Sequence, residues 1–167
     1  PKDVKQLRAF LSKLKEKFFD ITNLIQAEFD RNMDIYGDKI QCRRGCSKCC
    51  SQIFRITALD GWIIAEHVKS LPEPRRSELQ QKAREYLANL PKSEEGEISK
   101  HEGIPCPALG DEGECTIYEA RPVICRRFGM PIYDYKNPAN VNACELNFKD
   151  GDEITDALLV PNQTAIG

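Results

Sequence analysis

The chain has 167 residues, a length at which a single domain can bury its own core without covalent crosslinks. Hydrophobic residues make up 41% of the chain and charged residues 30%, which are the values of a soluble globular protein. The formal net charge of −2 excludes a general electrostatic attraction for nucleic acid or for an anionic membrane, so we expect neither partner.

The hydropathy of the chain predicts its compartment. A run of about 18 apolar residues, the minimum for a membrane span, does not occur in the sequence. The first ten residues, "PKDVKQLRAF", lack the apolar stretch of a signal peptide. We therefore expect a cytoplasmic protein.

The first 36 residues show the periodicity of an amphipathic helix. Apolar residues recur at steps of three and four, at Val4, Leu7, Leu11, Leu14, Phe18, Ile21 and Ile25. Glycine and proline do not occur between Lys2 and Tyr36, so the pattern predicts one long helix. Its apolar stripe has two interpretations, a seam for a helix-mediated homo-oligomer or a face that packs on its own domain.

Two more helices are predicted in the first half of the chain. The segment "TALDGWIIAEHVKSL" opens with a capping box between Thr57 and Asp60, and Pro72 and Pro74 close it. The segment "RRSELQQKAREYLANL" predicts a third helix. Between the first and second helices, "SQIFRI" has the composition of a short strand.

The second half of the chain is predicted to be mostly irregular. Residues 91–114 are rich in acidic residues, Gly and Pro, which predicts a loop. The segment "CTIYEARPVICRRFGMP" predicts a helical turn that breaks before Pro122 and another that carries Cys125. Beyond Pro131, only "ITDALLV" predicts a short element.

These elements predict a small, mostly α fold, with two or three helices and an irregular cysteine-rich metal-binding lobe. We assign residues 1–36 to an amphipathic N-terminal helix. Residues 37–150 form the predicted cysteine-cluster metal-binding domain, and residues 151–167 a C-terminal tail.

Eight cysteines are the most distinctive feature of the sequence: Cys42, Cys46, Cys49, Cys50, Cys106, Cys115, Cys125 and Cys144. In a reducing cytosol, clustered thiols more often bind metal than form disulfides. The Cys-x-x-Cys spacing of Cys46 and Cys49 can bring two sulfurs to one ion. The adjacent Cys49 and Cys50 are expected to point to different sites, or one of them is not a ligand. The eight thiols allow two four-sulfur centres, or one centre with further reactive thiols.

Positive charge accompanies the cysteines. Residues 1–56 carry 12 Lys and Arg against 7 Asp and Glu, while residues 57–167 carry 12 against 19. Cations near thiols lower their pKa and favour metal ligation. The cations that lie near cysteines in sequence are Arg43, Arg44, Lys48, Arg55, Arg121, Arg126 and Arg127.

The order "GCSKCC", "CPAL" and "CTIYEARPVICRRF" resembles the zinc- or iron-chelating cysteine-cluster family, the YkgJ-like or CxxCxxCC proteins. The resemblance runs from Cys42 to Phe128, and Cys144 is similar to a last cysteine that many of these proteins carry. Three residues separate Cys42 from Cys46 where the family pattern has two. The resemblance implies metal binding by cysteines, and in one relative a similar cluster accompanies lysine methylation of flagellin.

The leading hypothesis is a metal-binding protein that chelates zinc or iron, with all eight cysteines as candidate ligands. The main alternative is an iron–sulfur protein, for example with a [4Fe-4S] cluster, that has redox or protein-modification activity. A third hypothesis is a secreted domain with four disulfides. With two histidines and no recognisable nucleophile motif, thiol catalysis is not supported. The sequence does not assign a specific partner or a substrate.

Overall fold

The computed structural model describes residues 2–90, 104–134, 136–137, 139–149 and 152–165. Within these residues it has five α-helices, α1 Lys2–Tyr36, α2 Ala58–Ser70, α3 Glu73–Asn89, α4 Val123–Arg127 and α5 Leu159–Ala165. Two short antiparallel strands complete it, β1 Ile132–Tyr133 and β2 Val141–Asn142, with Ile132 opposite Asn142. The predicted mostly α class is confirmed. Within the described residues, no helix combines enough length with enough apolar character to cross a membrane.

The chain divides into two compact units. Unit 1 comprises Pro1–Cys42 and Val123–Gly167, and unit 2 comprises Arg43–Pro122. The division falls directly after the first cysteine of the run that begins at Cys42. The following cysteines of that run, from Cys46 on, belong to unit 2.

The apolar stripe predicted for α1 is buried only in the second half of the helix. Val4 and Leu7 are 54% and 56% exposed, whereas Phe18 and Ile25 are 2% exposed; Ile21, which also belongs to the predicted stripe, is 46% exposed. The buried side of the helix then continues through two polar residues and an aromatic one, Thr22, Asn32 and Tyr36. The helix was therefore predicted correctly, but its predicted apolar face is only partly the buried one, since Ile21 is exposed and the neighbouring Thr22 is buried.

A small core in unit 1 fixes the residues around the first cysteine. It consists of Tyr36, Ile40, Met130, Leu159 and Val160, which join the end of α1 to α5 and to the segment before β1. The Tyr36 ring packs edge-on against Phe148 at 5.3 Å between centroids, and its hydroxyl accepts a hydrogen bond from the Asp156 N–H at 2.6 Å. Cys42 packs partly buried against this core, so its position is set by hydrophobic packing.

Unit 2 contains α2 and α3, and the start of α2 is the predicted capping box. Thr57 Oγ1 accepts a hydrogen bond from the Asp60 N–H at 3.1 Å, and Asp60 Oδ2 accepts one from the Thr57 N–H at 2.9 Å. Helix α2 ends at Ser70, just before the two prolines predicted to close it, and both prolines also lie at the start of α3. Pro72 is the N-cap of α3 and Pro74 lies in its first turn, because a helix start has no need of those N–H groups.

Three local predictions differ from the structure. Residues 52–57, all of them described, follow an irregular path instead of a strand. The last helix begins at Leu159, several residues after the start of the predicted element. The β1–β2 pair was not predicted, because strands of two residues are too short to show alternation. The part of the predicted loop at residues 91–103 lies outside the described residues.

Replacement of the capping threonine tests the start of α2. We expect Thr57→Ala to lower the free energy of unfolding by about 1 kcal/mol, because the Asp60 N–H loses its acceptor at a helix start. Thr57→Ser keeps the hydroxyl and is the matched control. Urea unfolding of the reduced, metal-free protein measures both, and equal stability of the alanine and serine variants would contradict the role of this cap.

Candidate metal centre

The cysteine run is folded into tight turns. The Cys46 N–H donates to the Arg43 carbonyl at 2.9 Å, and a single 3-10 turn, Lys48–Ser51, follows. Gly45 has φ +90, a conformation that glycine adopts without strain. These turns gather the thiols of Cys46, Cys49 and Cys50 within five consecutive residues.

A second segment of unit 2 is bonded directly to this run. The Cys106 N–H donates to the Cys50 carbonyl at 2.7 Å. Further along, Gly113 lies so close to the run that a Cβ on it would be 3.0 Å from the Gly45 carbonyl oxygen. Residues 106–113 therefore lie beside the cysteine turns, and Cys106 is held there through its backbone.

A tight reversal of the chain places Cys115, the fifth thiol, near the cysteine run. Thr116 donates both its N–H, at 2.8 Å, and its hydroxyl, at 2.9 Å, to the Ala108 carbonyl. Leu109 and Cys115 form an antiparallel bridge beside this pair of bonds. Unit 2 thus carries five partly buried cysteines, which we call the unit 2 thiols: Cys46, Cys49, Cys50, Cys106 and Cys115.

Cys49 and Cys50 form a hydrogen bond with each other, and their assignment to different metal sites stays a prediction. A hydrogen bond between the two thiols lowers the pKa of Cys49 to about 7, and the same bond raises the pKa of Cys50 above the usual range of a thiol. In a 3-10 turn, neighbouring side chains are rotated by about 120°, whereas in a strand they are rotated by a half-turn, so the two thiols lie on nearer sides of the backbone. Because of their hydrogen bond, the pair favours one ionised thiolate and one protonated thiol.

The other groups around this pair are thiols and one cation. The nearby Cys106 and Cys115 raise the pKa of Cys50 further, and burial raises the pKa of Cys106 itself. The Arg121 guanidinium lowers the pKa of Cys49 and lies 3.8 Å from the centroid of the Tyr118 ring. Of the cations singled out in the sequence, Arg121 is thus one that acts on the cysteine run.

Unit 1 holds the remaining cysteines, which we call the unit 1 thiols: Cys42, Cys125 and Cys144. Two of them meet at Gly129, where a Cβ would lie 3.2 Å from Cys42 Sγ and 3.2 Å from Cys144 Cβ. The Gly129 carbonyl accepts hydrogen bonds from the Cys144 N–H at 3.1 Å and from Asn147 Nδ2 at 2.8 Å. Asn147 Nδ2 also donates to Cys42 Sγ at 3.3 Å.

Neither Gly129 nor Asn147 was singled out in the sequence. Gly129 follows α4 and has φ +96, so a glycine just past a short predicted helix was a usable indication of a left-handed residue. Asn147 carries no local pattern that distinguishes it from the other asparagines near the end of the chain.

The donors suit zinc and iron, which both bind thiolate sulfur. Among the described residues, no three Cys, His, Asp or Glu side chains are arranged so that they could hold one metal ion. Ligation by the unit 2 thiols therefore requires these side chains to move, and the backbone bond that joins the Cys50 and Cys106 segments does not depend on their positions.

Comparison with protein families decides the class of this domain. The model of the CxxCxxCC family, described as a putative zinc- or iron-chelating domain, matches residues 41–145. The chain belongs to the CxxCxxCC family. The match spans all eight cysteines, and it confirms the resemblance seen in the motifs. The chain matches none of the curated proteins, and none of the solved structures matches it.

Replacement of Gly129 tests the crowded contact among Cys42, Cys144 and Asn147. Alanine at φ +96 costs about 1–2 kcal/mol for the left-handed backbone, and the Cβ would also press on Cys42 Sγ. Gly45→Ala is the matched control, since it has φ +90 but its Cβ would have no described atom within 4 Å. We expect Gly129→Ala to destabilise the reduced, metal-free protein by about 1–3 kcal/mol more than Gly45→Ala. Equal losses would contradict the contact.

Titration of the metal-free protein tests the Cys49–Cys50 pair. We expect a thiolate to form with a midpoint near pH 7, below the value of about 8.5 for an ordinary thiol, because the Cys50 thiol donates to the ionised Cys49. The folded state then releases a proton that the unfolded state keeps, so this group favours folding as pH rises through that window. Ultraviolet absorbance of thiolate measures the midpoint.

The two variants of Cys50 separate the hydrogen bond from other causes of the low pKa. Cys50→Ala removes the donor and should raise the midpoint, whereas Cys50→Ser keeps an O–H donor and should leave the midpoint low. An unchanged midpoint in Cys50→Ala would show that the donor is not the main cause.

Proposed function

We propose that the protein chelates zinc or iron through the unit 2 thiols, Cys46, Cys49, Cys50, Cys106 and Cys115. The observation that carries the proposal is the hydrogen bond from the Cys106 N–H to the Cys50 carbonyl at 2.7 Å. It brings a cysteine from a distant segment to the Cys-x-x-Cys-Cys turn, within a chain that belongs to a zinc- or iron-chelating family.

The arrangement of the thiols supports a structural role for the metal. Four thiolates can complete the tetrahedral shell of a structural zinc ion. An ion shared by the 46–50 turn and the 106–115 segment would crosslink these two loops. Arg121, which lowers the pKa of Cys49, would offset part of the negative charge of the thiolates.

The same donors are compatible with an iron–sulfur cluster, and colour distinguishes the two forms. The proposal includes a reducing compartment such as the cytoplasm, because chelating thiols are lost when they oxidise to disulfides. The protein would be purified without oxygen and without a metal-binding tag, then analysed for metals and acid-labile sulfide. A colourless protein with bound zinc supports a structural centre, whereas a brown protein with iron and sulfide supports a cluster.

Replacement of Cys106 tests the ligand set. We expect Cys106→Ser to weaken metal binding by more than about 100-fold, because it removes a ligand itself. Removal of a group that only hydrogen-bonds to a ligand costs about 10- to 100-fold. Competition with a chromophoric chelator measures the affinity. Ser51→Ala, next to Cys50 in the same 3-10 turn, is the matched control and should bind as the unchanged protein does. Unchanged affinity in both Cys106→Ser and Cys46→Ser would overturn the proposal.

A further inference from the structure

Helix α1 carries more apolar surface than the fold of the single chain buries. Phe18 and Ile25 are buried, but an adjacent side of the helix holds large apolar side chains in solvent. Four of them are 46–63% exposed: Leu7, Phe10, Ile21 and Leu24. Several large apolar side chains along one side of a helix mark an interaction surface.

The exposed residues follow the spacing of a coiled-coil seam. With the half-buried Leu14 and the exposed Lys17 they fall at alternating steps of three and four residues. We call this line the exposed seam: Leu7, Phe10, Leu14, Lys17, Ile21 and Leu24. Residues with this repeat stay turned toward one partner helix when two helices supercoil. The seam is about 26 Å long, so it fits a partner helix of similar length.

The charge of α1 is divided between its two halves. Residues 3–17 hold five Lys and Arg against two Asp and Glu, whereas residues 18–36 hold one against four. Two such helices side by side in parallel would place like charges next to each other. In antiparallel orientation each half lies beside the opposite charge. A second, antiparallel copy of the chain therefore complements this helix.

The two ends of the exposed seam match each other in this orientation. One register pairs every position of the seam with another position of the seam on the second copy. Its layers are Leu7 with Leu24, Phe10 with Ile21, and Leu14 with Lys17. Lys17 is the one charged residue of the seam, and a single lysine in such a seam fixes the register at a cost in stability.

The same register brings opposite charges together on the flank of the seam. Lys13 of each copy lies next to Asp20 of the other, because these two positions occupy the flanking places of adjacent heptads. Two-fold symmetry repeats every contact, so this ion pair forms twice. Both side chains are exposed in the single chain.

We infer that two copies of the chain associate through the exposed seam as an antiparallel homodimer. The apolar layers supply the association, and the Lys13–Asp20 pairs between the copies select the antiparallel orientation. The dimer uses none of the cysteines. The inference therefore goes beyond the proposed function and does not rest on it.

Sedimentation equilibrium of the full, reduced chain measures the association. We expect the mass to rise from the 19.0 kDa of one chain to twice that value as the concentration increases. Leu24→Glu places a charge opposite Leu7 and should abolish the dimer, while circular dichroism should show unchanged helix content because Leu24 is exposed. Ile35→Glu is the matched control, since Ile35 is also exposed on α1 but lies outside the segment 7–24. It should dimerise as the unchanged chain does.

Two results of this measurement would overturn the inference. One is an unchanged chain that stays monomeric at every concentration, whatever else covers the seam. The other is an equal loss of association in Leu24→Glu and Ile35→Glu, because the contact would then not follow the seam.

Charge reversal tests the antiparallel orientation. Lys13→Glu and Asp20→Lys should each weaken the dimer by about 3- to 30-fold at low salt, because two attractive pairs become repulsive. The double variant, Lys13→Glu with Asp20→Lys, should recover the original affinity. Within one chain the two residues are two helical turns apart and are not neighbours on the helix surface, so recovery reports contact between copies. No recovery would overturn the antiparallel register.

Replacement of Lys17 tests the register by a gain of affinity. Lys17→Leu completes the apolar seam opposite Leu14, so we expect at least about tenfold tighter association. Lys15→Leu is the matched control, because Lys15 is exposed on the same helix but does not belong to the seam. Equal tightening in both variants would indicate unspecific hydrophobic association and would overturn the inference.

Discussion

The hydrogen bond from the Cys106 N–H to the Cys50 carbonyl is the contact on which the cysteine arrangement of unit 2 depends. It is a backbone bond, so it holds the two segments together whatever the state of their thiols. The reversal at Thr116, which returns Cys115 to the same place, follows from it because that reversal is anchored on Ala108, two residues after Cys106. Metal ligation would add to a contact that the backbone already makes.

Repulsion between neighbouring thiolates is the second constraint on the unit 2 thiols. Each thiolate raises the pKa of its neighbours, as Cys106 and Cys115 do for Cys50, and burial adds to this effect for Cys106. Without a metal, Cys50 keeps its proton and donates a hydrogen bond to the ionised Cys49. The charge of Arg121 also lowers the pKa of Cys49. A bound divalent ion would replace that proton as the charge that neutralises the sulfurs, so metal affinity and pH are coupled in this unit.

The parts of the structure that were predictable from sequence are those with local causes. The periodicity of α1, the Thr57–Asp60 capping box and the break before Pro122 each depend on residues a few positions apart. The meeting of Cys42 and Cys144 depends on Gly129 and Asn147, which come from segments distant in the chain and are joined only by the fold. The mutual bond of Cys49 and Cys50 was not predicted, because it depends on the particular 3-10 geometry of the turn Lys48–Ser51.

The gap after Cys42 coincides with the boundary between the two units. A Cys-x-x-Cys turn brings both sulfurs to one side, which is why Cys46 and Cys49 suit a common ion. Between Cys42 and Cys46 there are three residues, with a turn closed on the Arg43 carbonyl and a left-handed Gly45. The division between the units falls within this gap, directly after Cys42, which packs against the core of unit 1. One cysteine-rich run therefore contributes Cys42 to unit 1 and Cys46, Cys49 and Cys50 to unit 2.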